Sequence, residues 1–462
     1  MLYLKLASGN VRRAWRDYSV YFATLCFAAC LLYSFTASGD YLLALELTED
    51  QLGLLRSAGD VIQGFSVFVI VVFVFLVAYA NRFIVRRRKR EFGLYALLGM
   101  RRPAMAAILA VEGILVGAVS FAVGICAGVA LSPAFSAVAA FVFGVPWKLA
   151  FSFSADAFVW TLGAFAVMTV LGAMACVLDV LRRPLIELID AERAVERLAF
   201  SGKKATWVQL AFAVALLAAV YALCVFQPLY FLVFIIPAGF AALGATVLVM
   251  RFAATRWPRL ARRRPKRYWK GLHAFTVRQV EARVSSSSMA LACVCVLIAA
   301  SVCMTATGFA FSVGMRSSGA EAMHVESLMP IGYVGIFYGL TFLVAAAAIL
   351  ALQQLSGAAD AGRAYSTLAD LGCDGDMMRA ALRAQVRVCF AVPLVFALVH
   401  DVFGLALVVF LAVVLGSGST VPIIADVLGF TLSVMGAYYL ITCRVCERML
   451  LGCAVHEGRR AS

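Results

Sequence analysis

Long apolar runs alternate with short polar segments along the chain of 462 residues. The hydrocarbon layer of a bilayer requires about 20 predominantly apolar residues per crossing helix. Ten runs have roughly this length and few or no charges: Tyr18–Ala37, Val61–Tyr79, Met105–Leu131, Phe158–Val180, Val208–Phe226, Tyr230–Met250, Ser288–Gly314, Met329–Leu352, Val388–Val414 and Val421–Cys443. The pattern predicts an all-α, polytopic integral membrane protein with about ten transmembrane helices.

Composition supports this class. Hydrophobic residues make up 64% of the chain and charged residues 14%, whereas globular proteins are about 45–50% apolar and about 25% charged. A compact domain cannot bury such a surplus in one core. We therefore expect much of the apolar surface to face lipid.

The basic residues predict the orientation in the membrane, because Lys and Arg are retained on the cytoplasmic side. With a cytoplasmic N-terminus and ten alternating spans, only Arg56, Lys148 and Arg316 of the 40 basic residues fall in outward segments. Both termini are then cytoplasmic. The net charge of +15 belongs to one face, which favours anionic lipid headgroups and argues against a nucleic-acid partner.

Two pairs of stretches indicate an internal repeat. "NVRR" at Asn10–Arg13 resembles "TVRQ" at Thr276–Gln279, 266 positions later. "REFGLYALLG" at Arg90–Gly99 resembles "RAYSTLADLG" at Arg363–Gly372, 273 positions later. Both members of the second pair follow the second span of their half, so the pattern predicts two four-helix halves in parallel repeat.

The repeat predicts three domains. Residues 1–200 would form the first half, with an interfacial helix and spans 1–4. Residues 201–265 would form a two-helix insert with a basic cytoplasmic linker. Residues 266–462 would form the second half, with spans 7–10.

The stretch "RRRKREFGLYALLGM" at residues 86–100 has a basic run that favours the headgroup region. A plain positively charged cytoplasmic loop would explain that run alone. Beyond it, Phe92, Tyr95 and Leu98 recur at helical spacing and present an edge to something other than lipid. Gly93 and Gly99 would let another backbone approach closely.

This stretch resembles the cytoplasmic coupling segment of FtsX-like permeases, the membrane subunits of MacB-type ABC transporters. The ten spans with an insert of two are similar to the bacitracin-export type. The resemblance implies a permease in a bacterial cell membrane, with a role in antibiotic resistance, moved by separate ABC ATPase subunits. A pair of ATPases is expected, with a second permease chain as a further candidate partner.

The resemblance also implies site residues. The first ATPase-docking segment comprises Glu91, Phe92, Gly93, Tyr95, Leu98 and Gly99, and the second comprises Arg363, Tyr365, Leu371 and Gly372. One departure is the short loop Met315–Leu328, where bacitracin-type permeases carry a large extracellular domain. A partner chain could supply the extracellular domain instead.

No catalytic residue is predicted. A phosphate-binding loop needs Gly-x-x-x-x-Gly-Lys followed by Ser or Thr, and the nearest approach, "GAADAGRA" at Gly357–Ala364, has Arg and Ala at the two chemical positions. ATP and Mg²⁺ are therefore expected on the partner ATPase, with no cofactor in this chain. No metal site is predicted, because Cys443 and Cys446 lack a second ligand pair.

Polar groups within a bilayer are costly and often functional, and four ionisable residues of the predicted spans are candidates. His400 and Asp401 stand in the ninth span, Asp426 near the outer end of the tenth, and Glu112 about two turns into the third. His400 and Asp401 either open to water or satisfy each other. Alternatively, they contact substrate or lock subunits together.

Three functions remain open at this stage. The favoured one is an ABC permease that extracts or exports an amphiphile, such as an antimicrobial peptide, a lipopeptide or a lipid. The second is an ion-gradient-driven secondary transporter, with His400, Asp401 and Asp426 as the ion site. The third is a regulatory membrane subunit that performs no transport.

Overall fold

The computed structural model describes residues 9–11, 15–43, 97–143, 153–182, 203–263, 265–314, 322–415 and 420–458, together with Val74, Val77, Glu91, Leu94, Tyr95 and Trp147. The regular elements of this part of the chain are all helical. They are α1 Trp15–Leu43, α2 Arg102–Phe143, α3 Ala155–Arg182, α4 Lys203–Phe226, α5 Pro228–Val233, α6 Ile235–Arg262, α7 Pro265–Tyr268, α8 His273–Ser286, α9 Ser288–Phe309 with a π-helical end Ala310–Gly314, α10 Ala322–Asp370, α11 Gly375–Val414 and α12 Val421–Gly458.

Eight of these helices contain segments long and apolar enough to cross a membrane. The segments are Pro103–Val138, Ala155–Met174, Trp207–Phe226, Ile235–Ala254, Ser288–Ser312, Ile331–Leu355, Gly375–Val414 and Val421–Leu450. The predicted all-α polytopic class is thereby confirmed. The predicted first span lies in α1, where the apolar stretch Tyr21–Ser34 is shorter. Apart from Val74 and Val77, the predicted second span lies outside the described residues, so the count of ten stays a prediction.

The described residues fall into two compact units. The first comprises 1–195 and 308–338, and the second comprises 196–307 and 339–462. The first unit therefore contains α1, α2 and α3, and the second contains α4 to α8, α11 and α12, while α9 and α10 contribute to both. The predicted three-domain division stays a prediction.

In the first unit, α1 and α2 approach closely because two glycines of α2 face α1. A Cβ added at Gly124 would lie 2.7 Å from the carbonyl oxygen of Cys26, and one at Gly128 would lie 3.1 Å from that of Cys30. Ser34 Oγ donates a hydrogen bond of 3.0 Å to the Gly128 carbonyl. The spacing Gly-x-x-x-Gly is a known signature of close helix packing in membranes.

The spans differ in how much of their surface the chain itself covers. The most apolar stretch of Ser288–Ser312 is 72% buried within the chain, and that of Ile331–Leu355 is 78% buried. The corresponding stretch of Trp207–Phe226 is only 11% buried. The last of these belongs to the predicted insert. Its apolar side chains have the exposure expected of a lipid-facing helix.

Helix starts reproduce the offsets found in the sequence. Helices α2 and α11 begin 273 positions apart, and α3 and α12 begin 266 apart. This regularity supports the predicted parallel repeat, although the complete layout of spans stays a prediction.

Candidate coupling segments and intramembrane polar residues

The first predicted coupling segment ends in a Schellman motif, a helix terminator built on a left-handed residue. Gly99 has a φ of +85°. The N–H of Met100 donates to the carbonyl of Tyr95 at 2.9 Å, and the N–H of Leu98 donates to that of Leu94 at 3.0 Å. Phe92 and Gly93 lie outside the described residues, and Glu91 is exposed.

The second predicted segment ends in the same way. Gly372 has a φ of +82°, and its N–H donates to the carbonyl of Ala369 at 2.9 Å. The N–H of Cys373 donates to the carbonyl of Leu368 at 3.0 Å. Cys373 and Leu368 correspond to Met100 and Tyr95 by the 273 offset, so each terminator uses equivalent positions.

Each terminator displays a leucine at the equivalent position, and the first also exposes Leu97 at 73%. Leu98 is 76% exposed and Leu371 is 75% exposed. No atom of the described chain lies within 4 Å of a Cβ added at Gly99 or Gly372. Glycine is therefore required by its backbone conformation, which L side chains rarely adopt, rather than by crowding within the chain.

Tyr365, predicted as part of the second docking surface, is 3% exposed. Its ring packs edge-on against Phe275 of α8 at 5.4 Å, and its hydroxyl accepts a hydrogen bond of 3.0 Å from Gln385 of α11. Burial raises the pKa of Tyr365 to about 12, against a smaller opposing effect of Arg283. Tyr365 is therefore a buried packing residue of the segment rather than part of its exposed surface. The backbone of Arg363 lies in α10, and its side chain lies outside the described residues.

Helix α8 is held against α10 by a polar contact that the sequence did not reveal. Arg283 Nη1 donates to Gln354 Oε1 at 2.9 Å. Gly357 makes room for this side chain, since a Cβ there would lie 2.7 Å from Arg283 Cζ. Together with Phe275 and Tyr365, this contact joins the amphipathic α8 to the helix that carries the second coupling segment.

Glu112 is completely buried, at 0% exposure. Its carboxylate accepts a hydrogen bond of 2.8 Å from Asn10 Nδ2 and another from the Tyr18 hydroxyl. Asn10 lies in a short helical stretch just before α1. The acid therefore ties α2 to the N-terminal segment, and these hydrogen bonds offset part of the cost of its burial.

His400 and Asp401 point to different neighbours, because consecutive residues of a helix are about 100° apart. His400 faces the predicted insert: Nδ1 lies 2.5 Å from the Tyr221 hydroxyl of α4, and Nε2 lies 3.1 Å from Thr246 Oγ1 of α6. Asp401 faces α9, with Oδ1 3.9 Å from Cys303 Sγ. The two side chains do not satisfy each other.

Asp426 is exposed in the second turn of α12. No hydrogen bond joins it to His400 or Asp401 in the described part of the chain. Of the three residues predicted as one ion site, His400 and Asp401 are close because they are neighbours in the sequence. No described hydrogen bond brings Asp426 to them.

Comparisons with known proteins show what parts of this chain are similar to. Residues 64–185 match the FtsX family, "FtsX-like permease C-terminal". The uncharacterized ABC transporter permease YvcS of Bacillus subtilis (strain 168) is 25% identical over 202 residues, which are 44% of this chain and 30% of that protein.

Two bacitracin export permease proteins BceB are similar as well. The one from Bacillus subtilis (strain 168) is 26% identical over 27% of this chain and 18% of its own length. The one from Halalkalibacterium halodurans is 26% identical over 40% of this chain and 28% of its own length. The chain covers less than a third of each relative. Residues 64–185 are thus similar to FtsX-like permeases, and the long apolar helices identify the chain as a multi-pass membrane protein.

Proposed function

We propose that this chain is the permease subunit of a MacB-type ABC transporter, and that a separate ATPase moves it to extract or export an amphiphile. The names of its relatives support the ABC assignment. The observation that carries the proposal is the pair of identical helix terminators, each with a leucine about three-quarters exposed.

The exposed leucines are suited to docking. Full burial of a leucine side chain is worth about 1.5–3 kcal/mol, and a Schellman terminator fixes the direction in which the leucine projects. A soluble subunit with an apolar groove would bury Leu98 or Leu371. Two segments of the same geometry suit two copies of one ATPase, which would carry the ATP and Mg²⁺.

The rest of the predicted assembly follows from this arrangement. The coupling segments would lie on the cytoplasmic side, with both termini, and the basic residues beside them would contact anionic lipid headgroups. A second permease chain and an extracellular domain from a partner remain candidate components. Glu91 is exposed in the same segment and would add a polar contact to the same ATPase.

An amphiphile is the substrate class that best suits this chain. Many large apolar side chains of the spans are exposed, for example Val208, Phe212 and Phe240 at 68%, 61% and 63%. A molecule already dissolved in lipid could reach such surfaces without crossing an aqueous pore. Two similar proteins are named bacitracin export permeases, which supports export as the direction of transport.

Affinity purification of the tagged protein from its own cells tests the proposal. A soluble subunit with a phosphate-binding loop should be recovered with it. Leu98→Asp or Leu371→Asp should weaken the association by about 10-fold to 150-fold, the equivalent of burying one leucine, and the double variant should abolish it. Trp269→Asp is the matched control, because Trp269 is 75% exposed but lies outside both segments.

Two outcomes would overturn the proposal. One is a lone membrane protein in the purification, which would favour a secondary transporter. The other is full ATPase recovery with the double leucine variant, which would remove both segments from the docking site.

A further inference from the structure

A buried carboxyl in the second unit is not used by the proposed docking mechanism. Asp401 lies in α11 and is 2% exposed. Its Oδ1 has one weak contact, with Cys303 Sγ at 3.9 Å. Its Oδ2 has no hydrogen-bond partner among the described residues.

The groups that face Asp401 provide no positive charge. They are Cys303 and Cys295 of α9, while Cys224 of α4 lies beyond Cys303. A thiol is neutral at neutral pH and is a weak hydrogen-bond donor. Among the described residues that adjoin Asp401, the one that could carry a positive charge is His400, on α11 itself.

The hydrogen bonds of His400 are all satisfied by a neutral ring. Thr246 Oγ1 donates its single proton to the Ala242 carbonyl at 2.7 Å, so at 3.1 Å it can only accept from Nε2–H of His400. Nδ1 then accepts from the Tyr221 hydroxyl. Both ring nitrogens are satisfied in the neutral imidazole, whereas a proton on Nδ1 would require the Tyr221 oxygen to accept and its hydroxyl proton to lose this acceptor.

The carboxyl is also unnecessary for packing. By the 273 offset, Asp401 corresponds to Gly128 and Cys303 to Cys30, and Gly128 packs beside Cys30 in the first unit without any side chain. In the second unit Gly404, one turn beyond Asp401, provides the close approach, since a Cβ there would lie 2.4 Å from Cys303 Sγ. The helix contact of the first unit therefore forms without an acid, whereas the second unit has an acid at the equivalent position.

We propose that Asp401 is a proton-binding site, occupied at neutral pH while α9 and α11 are packed together. An ionised carboxylate here would be an unpaired buried charge, which is far costlier than a neutral acid with one unmet hydrogen bond. Motion that opens the α9–α11 contact to water allows the carboxyl to ionise. Opening is therefore linked to release of one proton, independently of whether an ATPase drives it.

Infrared spectroscopy of the full chain in lipid nanodiscs tests the site directly. The spectrum at neutral pH should contain a carboxylic-acid C=O band that is absent from Asp401→Asn and present in Asp426→Asn, whose altered side chain is exposed. Absence of the band from the unmodified protein would overturn the proposal. So would a band that appears only after alkali cations are removed, because a cation would then occupy the site.

Thermal unfolding as a function of pH gives a second readout. In the unfolded chain the carboxyl is ionised at neutral pH, so the native state binds one more proton and stability falls as pH rises. Relative to Asp401→Asn, the unfolding equilibrium of the unmodified protein should shift toward the unfolded state by up to about tenfold per pH unit. If the asparagine variant does not fold, Asp401→Gly, the residue of the first unit, takes its place. Parallel pH profiles would refute the proton site.

Discussion

Substitution of Gly124 by alanine should force α1 and α2 apart. The new Cβ would lie 2.7 Å from both Ala29 Cβ and the Cys26 carbonyl oxygen, whereas carbon atoms in contact prefer about 3.5–4.0 Å. The helices would therefore have to separate by roughly 0.8 Å or more. Because one obstacle is backbone and cannot rotate away, we expect an overpacking cost of about 1–3 kcal/mol.

The matched control is Gly163→Ala in α3, because nothing lies within 4 Å of a Cβ at that position. Both substitutions gain the same helix propensity, about 1 kcal/mol, so their difference isolates the overpacking cost. Thermal unfolding in detergent should give Gly124→Ala a midpoint lower than Gly163→Ala by about 1 °C per kcal/mol, because a chain of this length has a large entropy of unfolding. Equal midpoints, or a more stable Gly124→Ala, would refute the close approach of these helices.

Three further predictions concern polar contacts and backbone conformation. In a double-mutant cycle, the effects of Tyr18→Phe and Glu112→Gln on the free energy of unfolding should differ from additivity by about 0.5–3 kcal/mol. Additive effects would mean that the hydrogen bond between these residues contributes nothing. Gly372→Ala should destabilise the second coupling segment by about 1–2 kcal/mol, because alanine tolerates the left-handed φ poorly, and Gly372→Asn should cost less. The recovery of the ATPase with each variant measures this difference. Equal recovery for both variants would refute the terminator. Because burial raises the pKa of Tyr365 from 10.0 to about 12, stability is retained below about pH 10 and should fall by about 2–3 kcal/mol between about pH 10 and 12. Tyr365→Phe should abolish that alkaline loss, which pH-dependent unfolding would detect.

The class of fold and its long helices could be predicted from the sequence because membrane burial requires uninterrupted apolar length. The terminator at Gly372 could be located as well, since its glycine and the preceding leucine echo those of the first half. The direction of His400 and Asp401 could not be predicted: one residue along a helix is a turn of about 100°, and which neighbour each side chain meets depends on tertiary packing. Tyr365 similarly appeared available for docking because a periodic pattern does not distinguish an exposed edge from a buried one.

Other features had a readable signal. The spacing of Gly124 and Gly128 within an apolar run is the Gly-x-x-x-Gly pattern of close helix pairs, and it marks the α1–α2 contact. Glu112 had no such signal, because its partner Asn10 lies 102 positions away. Long-range polar pairs of this kind become visible only when the fold is known.

Only four residues, 371–374, separate the end of α10 from the start of α11. Because this corner is so short, a displacement of Leu371 must also displace the end of α10 and the beginning of α11. Asp401 lies 26 residues further along α11, about 40 Å by the rise of a helix. The proposed ATPase contact at Leu371 and the proposed proton site at Asp401 would then be connected by one continuous helix, α11.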